Sequence, residues 1–404
     1  MAEVKKIHLR IFNFCFSVCF ALLMMAMIEV TSACILRVWN PSVRGQFNRS
    51  KLAVYQNESW GSKYWEEEAA AARVSYESYV AWRQKPFAGS QINIDGEGHR
   101  RTQYSQCDGA TRTIWMFGGS TMWGTGSPDW GTIPSNLAKI YGNAGTPVCV
   151  INFGQNGWRN TQELIELELE LKRRTPHPDL VLFYDGFNDS YSFFQSGEDD
   201  VHMNYNVIRD KFERLSNRSM KSSLVDFLLA THTGRLITRS RPVRNLVDGD
   251  TGIVASSANG AARDLEVSYL DNLEIVQALS EKYGFQYTFF WQPVLYSGHK
   301  QLTSEEQKIL MFFRGHLDEQ DGEYKAMSTV LQHGVPKHVI DMSDVFDRAA
   351  NSLYIDCVHV VPAGNALVAN RIHEELVKAG WTGENASKVD RHLTPQAQHE
   401  GGRT

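Results

Sequence analysis

Four short stretches of this chain carry side chains suited to chemistry, and each comes at the end of an apolar run. Ser120 follows two glycines after the run from Thr113 to Phe117. NFGQNG, residues 152–157, closes a second run, and DGFND, residues 185–189, follows a third. DCVH, residues 356–359, follows the last run and precedes a helical segment. A serine, a glycine turn, an amide and an Asp/His pair are the inventory of acyl transfer. The serine needs a base to become a nucleophile, the base needs a partner to fix its tautomer, and the oxyanion needs donors already in place. Ser120 would attack, His359 would be the general base, and Asp356 would hold the other imidazole nitrogen. The backbone N–H groups of Ser120 and Gly157 and the side-chain amide of Asn188 would form the oxyanion hole, with the dipole of the helix after Ser120 aimed at it. Each feature also has an ordinary structural reading: Ser120 as a helix N-cap, Asn188 as a turn residue, Asp356 and His359 as a surface pair. Four blocks in order at successive strand ends outweigh those readings taken singly.

The elements that would position these groups alternate along the chain. Apolar runs at 113–117, 148–153, 180–184, 286–291 and 338–340 predict buried strands, and helices are expected at 131–142, 160–174, 263–283 and 363–379. IELELELK, from Ile165, alternates with the period of a strand, but leucine and glutamate favour helix and no β-branched residue follows Ile165 within it, so it is read as helix. The fold class is therefore α/β, a three-layer αβα sandwich with a mostly parallel five-stranded sheet. Ligands of such sheets bind beyond the carboxyl ends of the strands, where the four blocks lie. Residues 34–110 read as a juxtamembrane lead-in with a helical stretch near Lys63 to Arg83. Within a domain at 111–385, an insertion at about 191–262 carries an acidic patch at Glu198, Asp199 and Asp200 and a basic one at Arg235, Arg239, Arg241 and Arg244. It reads as a lid or specificity element, or as a solvated excursion. Asp185, Asp189 and Arg159 are assigned to orienting loops, while Trp123 and Trp158 either form an aromatic wall for a sugar face or pack in the core. Residues 386–404 read as a disordered tail.

In order and spacing, the four blocks resemble those of the SGNH (GDSL-like) hydrolase superfamily over about residues 113–379. The resemblance implies a flavodoxin-like SGNH hydrolase fold, Ser120 as nucleophile, Gly157 and Asn188 as oxyanion donors, and Asp356 and His359 completing a triad. No metal or organic cofactor is expected, because serine, histidine and dipoles suffice for this chemistry. Gly119 stands where many members have aspartate, and Val360 replaces a frequent proline. Neither departure removes a catalytic group. The nucleophile elbow of the α/β-hydrolases is absent, because Met122 occupies its final glycine position.

Outside that domain, Lys5, Lys6 and Arg10 precede an apolar run from Ile11 to Ile28 that just reaches spanning length. This favours an uncleaved membrane anchor within residues 1–33, although Thr31, Ser32 and Ala33 resemble a cleavage site and leave a secreted form as the alternative. The catalytic domain is expected to be exported, in a periplasmic, extracellular or lumenal setting. A formal charge of -5 supplies no basic field for nucleic acid. The six cysteines show no zinc spacing, and Cys149 in a strand and Cys357 in a motif favour buried thiols over a disulfide framework.

The expected function is a membrane-anchored serine esterase that removes an acyl group, acetyl foremost, from a small-molecule or glycan substrate. The carbohydrate preference follows from the resemblance and the location. An O-acyltransferase using the same serine, and a non-catalytic glycan-binding or scaffold protein that keeps the fold, are the alternatives.

Overall fold

The computed structural model describes residues 2–38, 48–108, 112–196, 198, 200–216, 230–238, 258–296, 298–313, 328 and 339–382. Two compact units result. One comprises Met1–Phe47 with Tyr205–Gly252, the other Asn48–Asn204 with Ile253–Thr404.

The larger unit is built on five strands: β1 Thr113–Gly118, β2 Cys149–Asn152, β3 Leu180–Asp185, β4 Gln286–Trp291 and β5 Val339–Asp341. They pair in the order β2-β1-β3-β4-β5, parallel throughout. This is the doubly wound order of flavodoxin-like sheets. Parallel strands need long crossovers, and helices lie in them: α1 Ser120–Trp123, α2 Ile133–Asn143, α3 Asn160–Arg173, α4 Phe187–Ser196 and α5 Ala258–Tyr283, while α6 Pro362–Lys378 follows the last strand. The expected strands and helices appear within a few residues of their sequence bounds. His338, expected in the last strand, lies outside the described residues.

Register places alternate side chains on opposite faces. Phe117 pairs with Phe183 and Phe183 with Phe289, and their rings stack at 5.3 and 4.4 Å between centroids. Leu164, Leu167 and Leu171 of α3 and Tyr269, Leu273 and Val276 of α5 close that face. These leucines recur at three and four residues, which settles IELELELK as helix. Its glutamates do not simply alternate outward: Glu163, Glu166 and Glu170 are buried, and Arg83 donates to both oxygens of Glu166 at 2.6 and 2.7 Å.

Residues 48–108, expected to lead from membrane to domain, belong to this same unit. The helix expected near 63–83 stops at Ala71, and Val74–Glu77 pairs antiparallel with Ala81–Gln84 through a turn with positive φ at Tyr79 and Ala81. The β-branched and aromatic residues after Arg73 favour that pairing over helix. Arg100 then bridges Asn152 on β2, and Cys107 bonds to Cys149 at the start of that strand. The disulfide corrects the expectation of free buried thiols. Gln106 N donates to Val148 O at 3.1 Å and Val150 N to Ser105 Oγ at 2.7 Å, and this edge pairing brings the cysteines to a Cα separation of 4.4 Å. Two sulfurs far apart in sequence met because a loop covers an exposed sheet edge.

In the smaller unit, the N-terminal helix runs from Ala2 to Val38, and its stretch Arg10–Leu36 is long and apolar enough to cross a membrane. It continues without a break through Thr31, Ser32 and Ala33. The carboxylate of Glu29 accepts from Thr233 N at 3.0 Å and Thr233 Oγ1 at 2.8 Å, docking His232–Thr238 of the insertion on this helix. Asp199, Arg239, Arg241, Arg244 and the tail 386–404 lie outside the described residues, as does the side chain of Arg235.

Candidate active site

Strand β1 is buried along nearly its whole length and ends at Gly118, delivering Ser120 to the rim of the sheet. Both preceding glycines are required by close approach. A Cβ on Gly118 would lie 2.6 Å from Met122 Cβ, and one on Gly119 would lie 2.2 Å from Asn188 Nδ2. A side chain at position 119 would therefore displace the Asn188 amide from its place against Trp158 O. The helix after Ser120 is a single turn, ended by Gly124 in the left-handed region at φ +100. Its dipole is correspondingly small, so local N–H groups rather than a long helix supply the field expected there.

Ser120 Oγ lies 2.7 Å from His359 Nε2, and His359 Nδ1 lies 2.7 Å from Asp356 Oδ2. A carboxylate only accepts, so Nδ1 carries the proton and Nε2 is left to accept from the serine hydroxyl. Asp356 Oδ1 accepts from the backbone N–H groups of Val358 at 2.9 Å and His359 at 2.8 Å. One turn of chain thus bonds the carboxylate to the residue that it orients. Burial opposes ionisation of Asp356, but the charges of His359 and Arg49 and these hydrogen bonds outweigh it and hold the carboxyl well below its usual range.

The glycine block divides its work. A Cβ on Gly154 would sit 2.4 Å from Trp123 N, so Gly154 permits the loop to press on α1. Gly157 takes φ +77, where its substitution would meet only ordinary contacts with Trp82 and Met203 at 3.4 and 3.5 Å. Asn188 Nδ2 donates to Trp158 O at 2.5 Å, which fixes the amide and leaves its second N–H. Ser120, Gly157, Asn188 and His359 are each half-buried at the carboxyl end of the sheet, among buried neighbours.

The residues read as loop orienters behave so. Asp189 accepts from Asn160 N at 3.0 Å and Gly186 N at 3.2 Å, with Arg159 Nε 3.5 Å away; Asp185 accepts from Asn160 Nδ2 at 2.9 Å. Behind them Glu163 is fully buried, and burial followed by the neighbouring Asp185 and Asp189 charges raises its carboxyl far above the usual range. Asp200 of the acidic patch stays exposed while accepting from Thr161 Oγ1 at 2.8 Å. The aromatic wall is not formed by Trp123 and Trp158. Both are fully buried, Trp123 beneath the Arg100 guanidinium at 4.3 Å and Trp158 bonded through Nε1 to Trp82 O at 2.9 Å.

Two arginines escaped sequence reasoning. Arg100 is buried and donates to the carbonyls of Trp123, Gly124 and Ser127 at 3.2, 2.8 and 2.5 Å, clamping the chain beyond the serine. Arg49 reaches Asp356 Oδ2 at 2.6 Å. Nothing in their neighbourhoods, GHRRT and NRSK, sets them apart from surface cations. Gln292, just past β4, likewise carries no sequence signal of its role, and it accepts from Thr121 Oγ1 at 3.0 Å.

A doubly wound parallel sheet that gathers a serine, an imidazole and a carboxylate at its carboxyl edge has the architecture of SGNH-type α/β hydrolases. The chain belongs to the GDSL-like lipase/acylhydrolase family, which it matches over residues 114–372, and is an ester-hydrolysing enzyme. Comparison with curated proteins gives no match. Among solved structures it is similar to LAE5, an alpha/beta hydrolase from the metagenome of Lake Arreo, Spain, at 13% identity and TM-score 0.35 over 68% of this chain and 97% of that one. It is also similar to the psychrotrophic esterase EstA from Pseudoalteromonas sp., at 12% identity and TM-score 0.34 over 66% and 97%. A third similar structure, the lipase/acylhydrolase from Enterococcus faecalis, gives 15% identity and TM-score 0.33 over 66% and 95%.

Proposed function

We propose that the protein is an exported, membrane-anchored serine esterase that hydrolyses acyl esters, acetyl foremost, of a carbohydrate or related substrate through a covalent intermediate on Ser120. The observation that carries this reading is the hydrogen-bonded chain from Ser120 through His359 to Asp356, 2.7 Å at each link. His359 Nε2 takes the hydroxyl proton as Oγ attacks the carbonyl carbon, and Asp356 stabilises the imidazolium that forms. The oxyanion falls to the N–H groups of Ser120 and Gly157 and to the free N–H of Asn188. His359 then returns the proton to the leaving alcohol, and a water activated by the same imidazole cleaves the acyl-enzyme.

The apolar helix Arg10–Leu36 supports anchoring, and the Cys107–Cys149 disulfide supports export to an oxidising compartment. The glycan preference rests on the family resemblance and that location, since Trp123 and Trp158 offer no exposed platform.

Ser120→Ala should lower turnover of a p-nitrophenyl ester at least about a thousandfold and abolish fluorophosphonate labelling. Wild-type turnover by that variant would exclude the mechanism. Incubation with an acyl donor and a glycan together should release free acid. Accumulation of acylated glycan would replace hydrolysis with acyl transfer.

A further inference from the structure

Asp356 has one partner that the hydrolytic reading does not use. Its Oδ2, already accepting from His359 Nδ1 at 2.7 Å, also meets the Arg49 guanidinium at 2.6 Å. With Val358 N and His359 N on Oδ1, the carboxylate is held by four donors while 1% exposed. Arg49 itself is placed by a pinned segment. Asn48 Oδ1 caps its turn through Ser50 N at 3.1 Å, Leu52 and Tyr55 are buried, and Tyr55 OH donates to Gly126 O at 2.7 Å.

We propose that Arg49 is a positioning residue of this hydrolase, which fixes Asp356 and disfavours the protonated form of His359, so that the base stays competent to lower pH. The inference rests on the Ser120–His359–Asp356 reading given above. In a site without such a cation, the carboxylate charge acts on the imidazole alone and favours its protonation. A fixed guanidinium on the same oxygen offsets that charge and repels an imidazolium a few ångströms away. Glu68 also faces the pair, near enough to interact with both Arg49 and His359; burial raises its carboxyl against their attraction and that of Arg100. Tyr55, Tyr64 and Cys357 also face Arg49, and burial raises each of them, leaving them neutral. Burial works against the Arg49 cation, but the Asp356 charge together with the smaller contributions of its other neighbours, Glu68 first among them, outweighs it, so the charge persists across the working range.

The test is the pH profile of kcat/KM for the full-length protein on a p-nitrophenyl ester, with rates normalised to sites that react with a fluorophosphonate. Arg49→Met should move the acid limb upward by about one pH unit, so that activity on that limb falls about tenfold while the plateau changes much less. Arg49→Lys, which keeps the charge, should keep the wild-type limb. If Arg49→Met does not fold, Arg49→Gln carries the same expectation, since it retains a donor to Asp356 and loses the cation. A limb unmoved in the charge-removing variants overturns the proposal, whether activity is intact or lowered equally at every pH. A limb moved as far by Arg49→Lys as by Arg49→Met also overturns it. Ser120→Ala is measured alongside. Retained turnover there would overturn the hydrolytic reading and this inference together, whereas lost turnover with an unmoved Arg49→Met limb overturns this inference alone.

Discussion

At the scale of single residues, the site depends on a few atoms whose substitution has distinguishable consequences. Asn188 donates to Trp158 O, and the proposed mechanism gives its other N–H to the oxyanion. Asn188→Ala should therefore lower kcat on the order of a hundredfold or more with a smaller change in KM, because the lost bond strengthens only as charge develops. The two glycines of NFGQNG separate packing from conformation. Gly154→Ala drives a methyl to 2.4 Å from Trp123 N, so thermal unfolding should show the larger loss of stability. Gly157→Ala meets no such clash but forces alanine to φ +77, costing about 1–2 kcal/mol and disturbing the N–H that the proposed mechanism gives to the oxyanion. Its larger effect should be on kcat. Equal losses of melting temperature and kcat in both variants would refute this division.

At the scale of elements, the sheet carries the site on strand ends and residues 48–108 hold that rim in place. Arg100 ties the chain past Ser120, and the Cys107–Cys149 bond fastens the lead-in to edge strand β2. The bond closes a loop with a sequence separation of 42, so reduction or Cys107→Ser should cost about 2–4 kcal/mol through the unfolded chain. Denaturant titration with and without reductant measures this. A midpoint indifferent to reductant would show that the bond adds no stability. Both the sheet and the lead-in were expected as elements, but only the sheet was legible in the order of apolar runs. The lead-in's attachment depends on pairings such as Arg100 with Asn152, which leave no periodic trace.

At the scale of the whole molecule, stability should respond to pH through two opposed carboxyl sets. Asp356 is depressed, so its stabilisation is present above the ordinary carboxylate range and is lost as pH falls below about 4. Glu163 and Asp185 are raised, first by burial, so their contribution is fullest below that range and is lost as pH rises toward neutrality. Glu163→Gln keeps the shape and removes the titration. Its melting temperature relative to wild type should therefore improve between about pH 5 and about pH 8. An identical offset at both values would place the pair's titration outside the unfolding equilibrium.

The order of the blocks, the five strands, the crossover helices and the serine, imidazole and carboxylate that the fold brings together were all readable in the sequence. Side-chain chemistry and period are local properties, and a parallel sheet converts chain order into position along one edge. What only the tertiary structure decided are contacts between residues distant in the chain: Arg49 on Asp356, Cys107 with Cys149, Arg100 beneath the rim, and the burial of Trp123 and Trp158. An arginine, a cysteine or a tryptophan carries the same letter on the surface and in the core. Its role is set by which neighbours packing brings within a few ångströms, and that follows from the assembled layers rather than from any window of sequence.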